Sequence, residues 1–315
     1  MRNAMHQQVA VVIVSYNTMG LLRRCLATLA DCRLPLRVIV VDNCSPDGSA
    51  GMVRAEFPQV ELIALDANVG FARGTNVGLA ALDLRGPAAP YVLLLNPDTE
   101  VRPGAIEALV AFLDAHPRVG LVGPRLLNPD GSLQAAAFRF PTLMMTALDL
   151  FPPGEVLPGR LYNSWWHGRY PQEGGSAPFP IDHPLGACML VRPAVINQVG
   201  GLDDAYFMYS EEIDWCWRIR GAGWAIWQVP QAEVVHVGGA ATRQFRWKML
   251  VALYRSRAQF VDRHATPWQR RAHRLVVRVG MLRAVLRSWR GFAQGRISRE
   301  ELRAHLLAYG RITRL

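Results

Sequence analysis

The sequence predicts an α/β fold built on a mostly parallel sheet, and two observations carry that expectation. Apolar runs of strand length alternate with helix-like stripes over the first 120 residues or so. Polar side chains gather just after those runs, where an open α/β sheet forms its ligand crevice.

Residues 9–14 are an unbroken valine-rich run, as expected of a strand buried on both faces. Residues 21–30 then place Leu21, Leu22, Cys25, Leu26 and Leu29 on one helical stripe. A second strand covers 36–41 and ends at Asp42, a helix covers 47–57, and a third strand 60–65. Residues 71–82 read as a helix, and 91–95 as a fourth strand ending at Asn96-Pro97-Asp98. Residues 103–116 form another helix with proline in its first turn, and 119–122 a short strand. From 142 to 180, prolines, glycines and aromatics (Tyr162, Trp165, Trp166, Tyr170) take over. That stretch reads either as a substrate-facing excursion or as an ordered surface insertion. A buried strand resumes at 184–191, and 207–220 carry an acidic cluster into a helix closed by Gly221-Ala222-Gly223-Trp224. Residues 225–230 and 233–237 make two last short strands.

With 315 residues, half of them hydrophobic and 19% charged, the chain suits a large globular domain with an appendage. The expected boundaries are 1–245 for a catalytic domain and 246–315 for a helical tail. The five cysteines (Cys25, Cys32, Cys44, Cys188, Cys216) are odd in number and form no CxxC pair. That argues against a disulfide framework or structural zinc and for a reducing compartment. The apolar run at Val9 is too short to span a bilayer and lacks a cleavage region, and nowhere do 18 uncharged apolar residues follow one another. A cytoplasmic protein is expected.

The net charge of +10 is unevenly spread, because residues 246–315 hold 17 Lys/Arg against three acids. Such a tail suits an anionic partner. Within it Leu275, Val279, Leu282, Leu286 and Trp289 recur at spacings of four and three, with Arg271, Arg274, Arg278, Arg283, Arg287 and Arg290 largely on the other side. This basic amphipathic helix suits the surface of an anionic membrane; the other reading docks it on the catalytic domain with a solvated arginine face. No recognisable nucleic-acid-binding fold accompanies the charge, which argues against nucleic acid.

Four segments carry candidate chemistry. Asp98 follows a buried strand and a stiffening proline, so its carboxylate suits Mn2+ or Mg2+ bridging to a diphosphate; as a local pattern Asn-Pro-Asp is equally a turn. In Val41-Asp42-Asn43-Cys44-Ser45-Pro46-Asp47-Gly48-Ser49, Asp42 and Asn43 can bond a base and ribose, and Asp47 can equally be a helix cap. In the segment 68–78, glycines allow close backbone approach, and Arg73 and Asn76 can meet a diphosphate; the same glycines also fit a helix start with small packing residues. Glu211, Glu212 and Asp214 are close enough for like charge to raise a carboxyl into the range of a base, or form an acidic first helical turn.

Taken in order, Val14-Ser15-Tyr16-Asn17, the 41–49 segment, the 68–76 segment and Leu93-Leu94-Leu95-Asn96-Pro97-Asp98 resemble the signature of family 2 glycosyltransferases, in the rhamnosyltransferase-like branch that builds bacterial surface polysaccharides. The similarity spans residues 9–245 or so. It implies a GT-A fold and an inverting, metal-dependent transfer from a nucleotide-sugar donor. Tyr16, Asn17 and Asp42 would line the nucleoside pocket, with Arg73 near base or diphosphate and Asn43 and Asn76 also among the nucleotide-sugar-binding residues. Asp98 would match the last carboxylate of the family's DxD-type motif, whose first position here is Asn96. The segment 206–218 resembles the family's Glu-Asp motif, which makes Glu212 the leading general base, Glu211 an alternate and Asp214 a neighbour. Val235-His236-Val237-Gly238-Gly239-Ala240-Ala241-Thr242 resembles the closing segment, where His236 would be a second metal contact or a packed histidine. Gly186 and Ala187, with Trp215, would lie on the acceptor side, and the family often has tryptophan where His183 stands. The resemblance further implies a saccharide or polyprenyl-linked saccharide acceptor and work at the inner face of the plasma membrane. A nucleotidyltransferase would want a glycine-rich loop where Ser15-Tyr16-Asn17-Thr18 stands, and a non-catalytic sugar-binding protein would have no use for Asp98, Arg73 and the acidic cluster.

Overall fold

The computed structural model describes residues 9–86, 89–152, 159–161, 164–238 and 246–315. The chain divides into two compact units, residues 1–139, 170–207 and 211–241 in the first and 140–169, 208–210 and 242–315 in the second. Twelve strands are described: β1 (Val9–Ser15), β2 (Leu36–Asp42), β3 (Glu61–Ala64), β4 (Tyr91–Leu95), β5 (Thr99–Val101), β6 (Val119–Leu127), β7 (Leu133–Gln134), β8 (Ala137–Phe138), β9 (Phe179–Pro180), β10 (His183–Pro184), β11 (Cys188–Val191) and β12 (Ala225–His236). The α-helices are α1 (Met19–Thr28), α2 (Ser49–Glu56), α3 (Phe71–Ala80), α4 (Ala105–Ala115), α5 (Leu143–Leu150), α6 (Pro193–Val199), α7 (Glu211–Gly221), α8 (Arg246–His264), α9 (Pro267–Ala293) and α10 (Arg299–Ile312).

The main sheet of the first unit has the order β3-β2-β1-β4-β11-β6-β12-β5. Pairing is parallel from β3 to β4, the half the valine-rich runs foretold. Beyond β4 the sheet is mixed: β11 is antiparallel to both neighbours, β12 runs parallel to β6, and β5 closes the edge antiparallel. Because β11 runs the other way, its first residues lie beside the last residues of β4, with Cys188 opposite Leu95. Burial explains the shape. All seven residues of β1 and all five of β4 are buried. Gly74 and Gly78 bring α3 onto β1 so closely that a Cβ at Gly74 would sit 2.9 Å from Val14 Cγ1.

Among the boundaries that differ from the sequence reading, three have a local reason. The run at 184–191 is interrupted after Pro184, which pairs in the small β8–β10 ladder, and resumes at Cys188. The two last strands are one, β12, whose register slips between Val229 and Glu233 around Pro230, a residue with no N–H for the ladder. The acidic helix starts only at Glu211, because Tyr209 and Ser210 hold positive φ of 70° and 64°.

In the second unit, α5, α8, α9 and α10 close over a core of Leu150, Val251, Tyr254, Val277, Met281, Ala308 and Ile312. Gly280 lets α9 approach α5, since a Cβ there would meet Leu150 side-chain carbons at 2.8 Å. Reciprocal capping boxes start α9 (Thr266 with Gln269) and α10 (Ser298 with Glu301). In the 142–180 stretch, Trp165 and Trp166 are exposed, Tyr170 is half-buried against Phe179, and Tyr162 lies outside the described residues. Among the described residues no helix is long and apolar enough to cross a membrane.

Candidate active site

The polar residues at the strand ends form a connected row. Register places Ser15 beside Asp42. Asn96 donates its N–H to Ala187 O at 2.8 Å, tying the end of β4 to the start of β11. Gly186 lies under Glu212, a Cβ there meeting Glu212 Cγ at 3.4 Å. His236 is opposite Thr99 in the β12–β5 ladder, which brings it to Asp98.

On the β1–β2 side, the Ser45 N–H donates to Asp42 Oδ2 at 3.0 Å, whereas Asp42 Oδ1 is buried without a partner. A buried carboxylate oxygen left unbonded at a crevice is a group available to a ligand. Asn17, in the left-handed region at φ 54°, donates its N–H to Ser45 Oγ at 3.0 Å, so the loops after β1 and β2 are laced together beside half-buried Tyr16. Asp47 reaches across to cap α1, accepting from Met19 N–H at 2.8 Å, besides accepting from Ser49 N–H at the start of α2. Arg73 is exposed in the first turn of α3.

Two asparagines have other work. Asn43 accepts from Val69 N–H at 2.8 Å and donates to Gly70 O at 3.1 Å, so its amide clamps the loop before α3. Asn76 donates to Leu202 O and Asp204 Oδ1 at 2.6 and 2.5 Å and accepts from Leu202 N–H at 2.9 Å, so its amide holds the 202–204 segment. Both amides are spent on protein rather than turned to a nucleotide.

Around Asp98 the chain adds a residue that sequence reasoning missed. His236 Nδ1 lies 2.7 Å from Gln134 Oε1, an acceptor, so Nδ1 carries the proton. Gln134 is held in that orientation by donating to His236 O at 3.2 Å and to Asn128 Oδ1 at 2.9 Å. With Nδ1 committed to Gln134, His236 turns Nε2 toward Asp98 Oδ1, 3.4 Å away. A carboxylate and an imidazole nitrogen side by side in a buried place are a pair that a divalent cation could take as ligands. Carboxylate plus imidazole suits Mn2+ somewhat better than Mg2+. Among the described residues no group of three His, Cys, Asp or Glu could hold a metal, so protein would supply these two ligands and diphosphate or water the rest. Asn96 is anchored by its backbone, its carbonyl accepting from Thr99 Oγ1 at 2.7 Å. Residues 239–242 of the closing segment lie outside the described residues.

At the start of α7, Glu211 Oε2 and Glu212 Oε2 are both buried without a partner. Burial pushes the Glu212 carboxyl up to about 7. Burial, and then the charge of Glu212, push Glu211 well above the usual carboxylate range. The other named residues of this region are structural. Asp214 Oδ2 accepts from Arg218 Nε at 2.9 Å, and Arg218 in turn donates to Val199 O and Gly201 O. Trp215 is fully buried with its Nε1–H on Gly200 O at 2.9 Å, and Ala187 belongs to the core. His183 is buried with Nδ1 against Pro184 O, and burial pushes it down to about 4, so it stays neutral.

Residues 10–200 match the family model described as Glycosyl transferase family 2. The chain belongs to that family. An N-acetylglucosaminyl-diphospho-decaprenol L-rhamnosyltransferase of Mycobacterium tuberculosis is 34% identical to this glycosyltransferase over 268 residues, 82% of this chain and 86% of that one. A low-salt glycan biosynthesis hexosyltransferase, Agl10, of Haloferax volcanii is 25% identical over 75% of this chain and 69% of its own. Among solved structures, a mannosyltransferase from Pyrobaculum calidifontis in complex with GDP-Man and Mn2+ superposes with a TM-score of 0.56 at 15% identity, covering 98% of this chain and 88% of that one. The fold of this glycosyltransferase is GT-A, and its relatives place it on the rhamnosyltransferase branch. Membership removes the nucleotidyltransferase and non-catalytic readings.

Proposed function

We propose that this glycosyltransferase moves rhamnose from a dTDP-linked donor onto a saccharide carried by polyprenyl diphosphate, with inversion at the anomeric carbon. The observation that carries this is the 34% identity over 82% of the chain to a rhamnosyltransferase whose name specifies a decaprenol-diphosphate acceptor. Such an acceptor sets the work at a membrane surface, on the cytoplasmic side where nucleotide sugars are made.

Asp42 Oδ1 takes a hydroxyl of the nucleoside, in the pocket floored by Tyr16 and Asn17, and Arg73 neutralises diphosphate charge from α3. Asp98 and His236 would hold Mn2+ or Mg2+, and a cation bound there would supply positive charge against the leaving diphosphate. Glu212, over the bare backbone of Gly186, takes the proton of the acceptor hydroxyl while that oxygen attacks C1 from the face opposite the diphosphate. Buried Glu211 keeps its proton and so spares Glu212 a second adjacent negative charge.

The function is tested with the full chain, Mn2+, a panel of nucleotide sugars and N-acetylglucosaminyl-diphospho-polyprenol. Acceptor-dependent release of dTDP from dTDP-rhamnose is expected; no nucleoside diphosphate released from any donor sinks the reading. Gln134→Leu should weaken Mn2+ binding about 10- to 100-fold, because His236 loses the partner that fixes its tautomer. Calorimetric titration of Mn2+ into the folded variant measures this, and an unchanged affinity would remove Gln134 from the metal site.

A further inference from the structure

We propose that α9 is the membrane-seating element of this protein, lying flat on an anionic bilayer through an exposed apolar face opposite its packed one. The proposal deepens the membrane-surface part of the function above and rests on it. Seven of the fourteen large apolar side chains exposed among the described residues belong to α9. Six of them, Trp268, Leu275, Val279, Leu282, Leu286 and Trp289, are each between 46% and 63% exposed. At about 100° per residue they fall within roughly 80° of one another, and at about 1.5 Å per residue the stripe is about 30 Å long.

That stripe is not the face α9 uses for folding. The buried residues of α9 are His273, Val277, Gly280, Met281 and Ser288, which close the second unit's own core. Leu286 lies nine residues beyond Val277, half a turn round the helix. The helix thus has two apolar faces, one satisfied and one not, and a contiguous apolar surface of that size marks an interaction site.

Charge selects the occupant. α9 carries seven arginines and no acid. Exposed Arg271 and Arg278 flank the stripe on one side and exposed Arg287 and Arg290 on the other. A second copy of the chain packed stripe to stripe would set these arginines against their own kind. Anionic lipid headgroups complement them, and a tryptophan near each end of the stripe suits the interfacial depth.

The test is flotation of the full chain with vesicles of phosphatidylcholine alone or mixed with phosphatidylglycerol. Wild type should float with the mixed vesicles, less so in high salt. Leu282→Glu with Leu286→Glu should cut that binding about tenfold or more at an unchanged melting temperature. Arg271→Gln with Arg290→Gln, altering only exposed side chains, should weaken binding to the mixed vesicles specifically. If wild type floats and both variants float equally well, the assignment of α9 is overturned while the membrane reading stands. If wild type floats with neither vesicle, the membrane reading falls and the proposal with it. A wild-type dimer that the Leu282/Leu286 variant dissolves in the absence of lipid would make the face a subunit interface instead.

Discussion

Asp98→Ala is expected to lower metal-dependent transfer by about a thousandfold or more while leaving the melting temperature within a few degrees of wild type. The asymmetry comes from how the residue is held. Its position is set by backbone: Val237 N–H donates to Asp98 O at 3.0 Å, and the β12–β5 ladder continues through Thr99 opposite His236. Among the described residues its side chain meets His236 Nε2, at 3.4 Å, a single long contact whose loss costs the fold little. With Asn96 in the first position of the motif, Asp98 is the one carboxylate there, so alanine leaves His236 alone with a doubly charged ion. Transfer rates across a Mn2+ series, with circular dichroism melting, measure both halves. An Asp98→Ala enzyme that keeps its activity would remove the residue from the site.

Glu212→Gln should cost about 100- to 10,000-fold in kcat/KM and at the same time stabilise the protein above pH 7. Wild-type activity should climb with pH and level off near 7, where the Glu212 carboxyl titrates. Glu211→Gln should keep that inflection, because burial and the charge of Glu212 hold the Glu211 carboxyl well above its ordinary range. Stability runs the other way. From the ordinary glutamate value of 4.5 to about 7 the folded state binds a proton the unfolded chain has released, so unfolding free energy falls as pH rises through that window. The loss is on the order of 1–3 kcal/mol, complete above pH 7 and absent below the unfolded value. Glutamine at 212 removes it. A variant that is inactive and more heat-resistant at pH 8 fits a base kept in an apolar place for its chemistry; one that is inactive and less stable would mark Glu212 as a packing residue.

What the sequence made legible was local. Asp42, Asn96 and Asp98 follow apolar runs, and a run long enough to be buried says where its strand stops. Asn43 and Asn76 look alike as residue types in glycine-rich segments, yet their partners at 69–70 and 202–204 are far along the chain, and no spacing displays them. Gln134 was hidden for the same reason: the β6–β7 pairing and the end of β12 meet only in three dimensions. Asp214 and Trp215 were readable in principle. With Glu211 and Arg218 they recur at helical spacing, and such a stripe faces the core. In α9 the apolar stripe was plain, but the packed face uses His273, Gly280 and Ser288, whose residue types do not announce burial.

The clamp that Asn43 places on Val69 and Gly70 reaches further than its own loop. The next residue, Phe71, donates its N–H to Phe207 O at 2.8 Å, and Asn76 on the same helix grips Leu202 and Asp204. The stretch that leads into the helix of Glu211 and Glu212 is therefore bolted to the loop and helix that carry Arg73, the residue proposed to meet the donor. Laboratory selection for a new donor sugar at Val69 and Gly70 should drag acceptor preference with it, so the two choices are best screened as pairs.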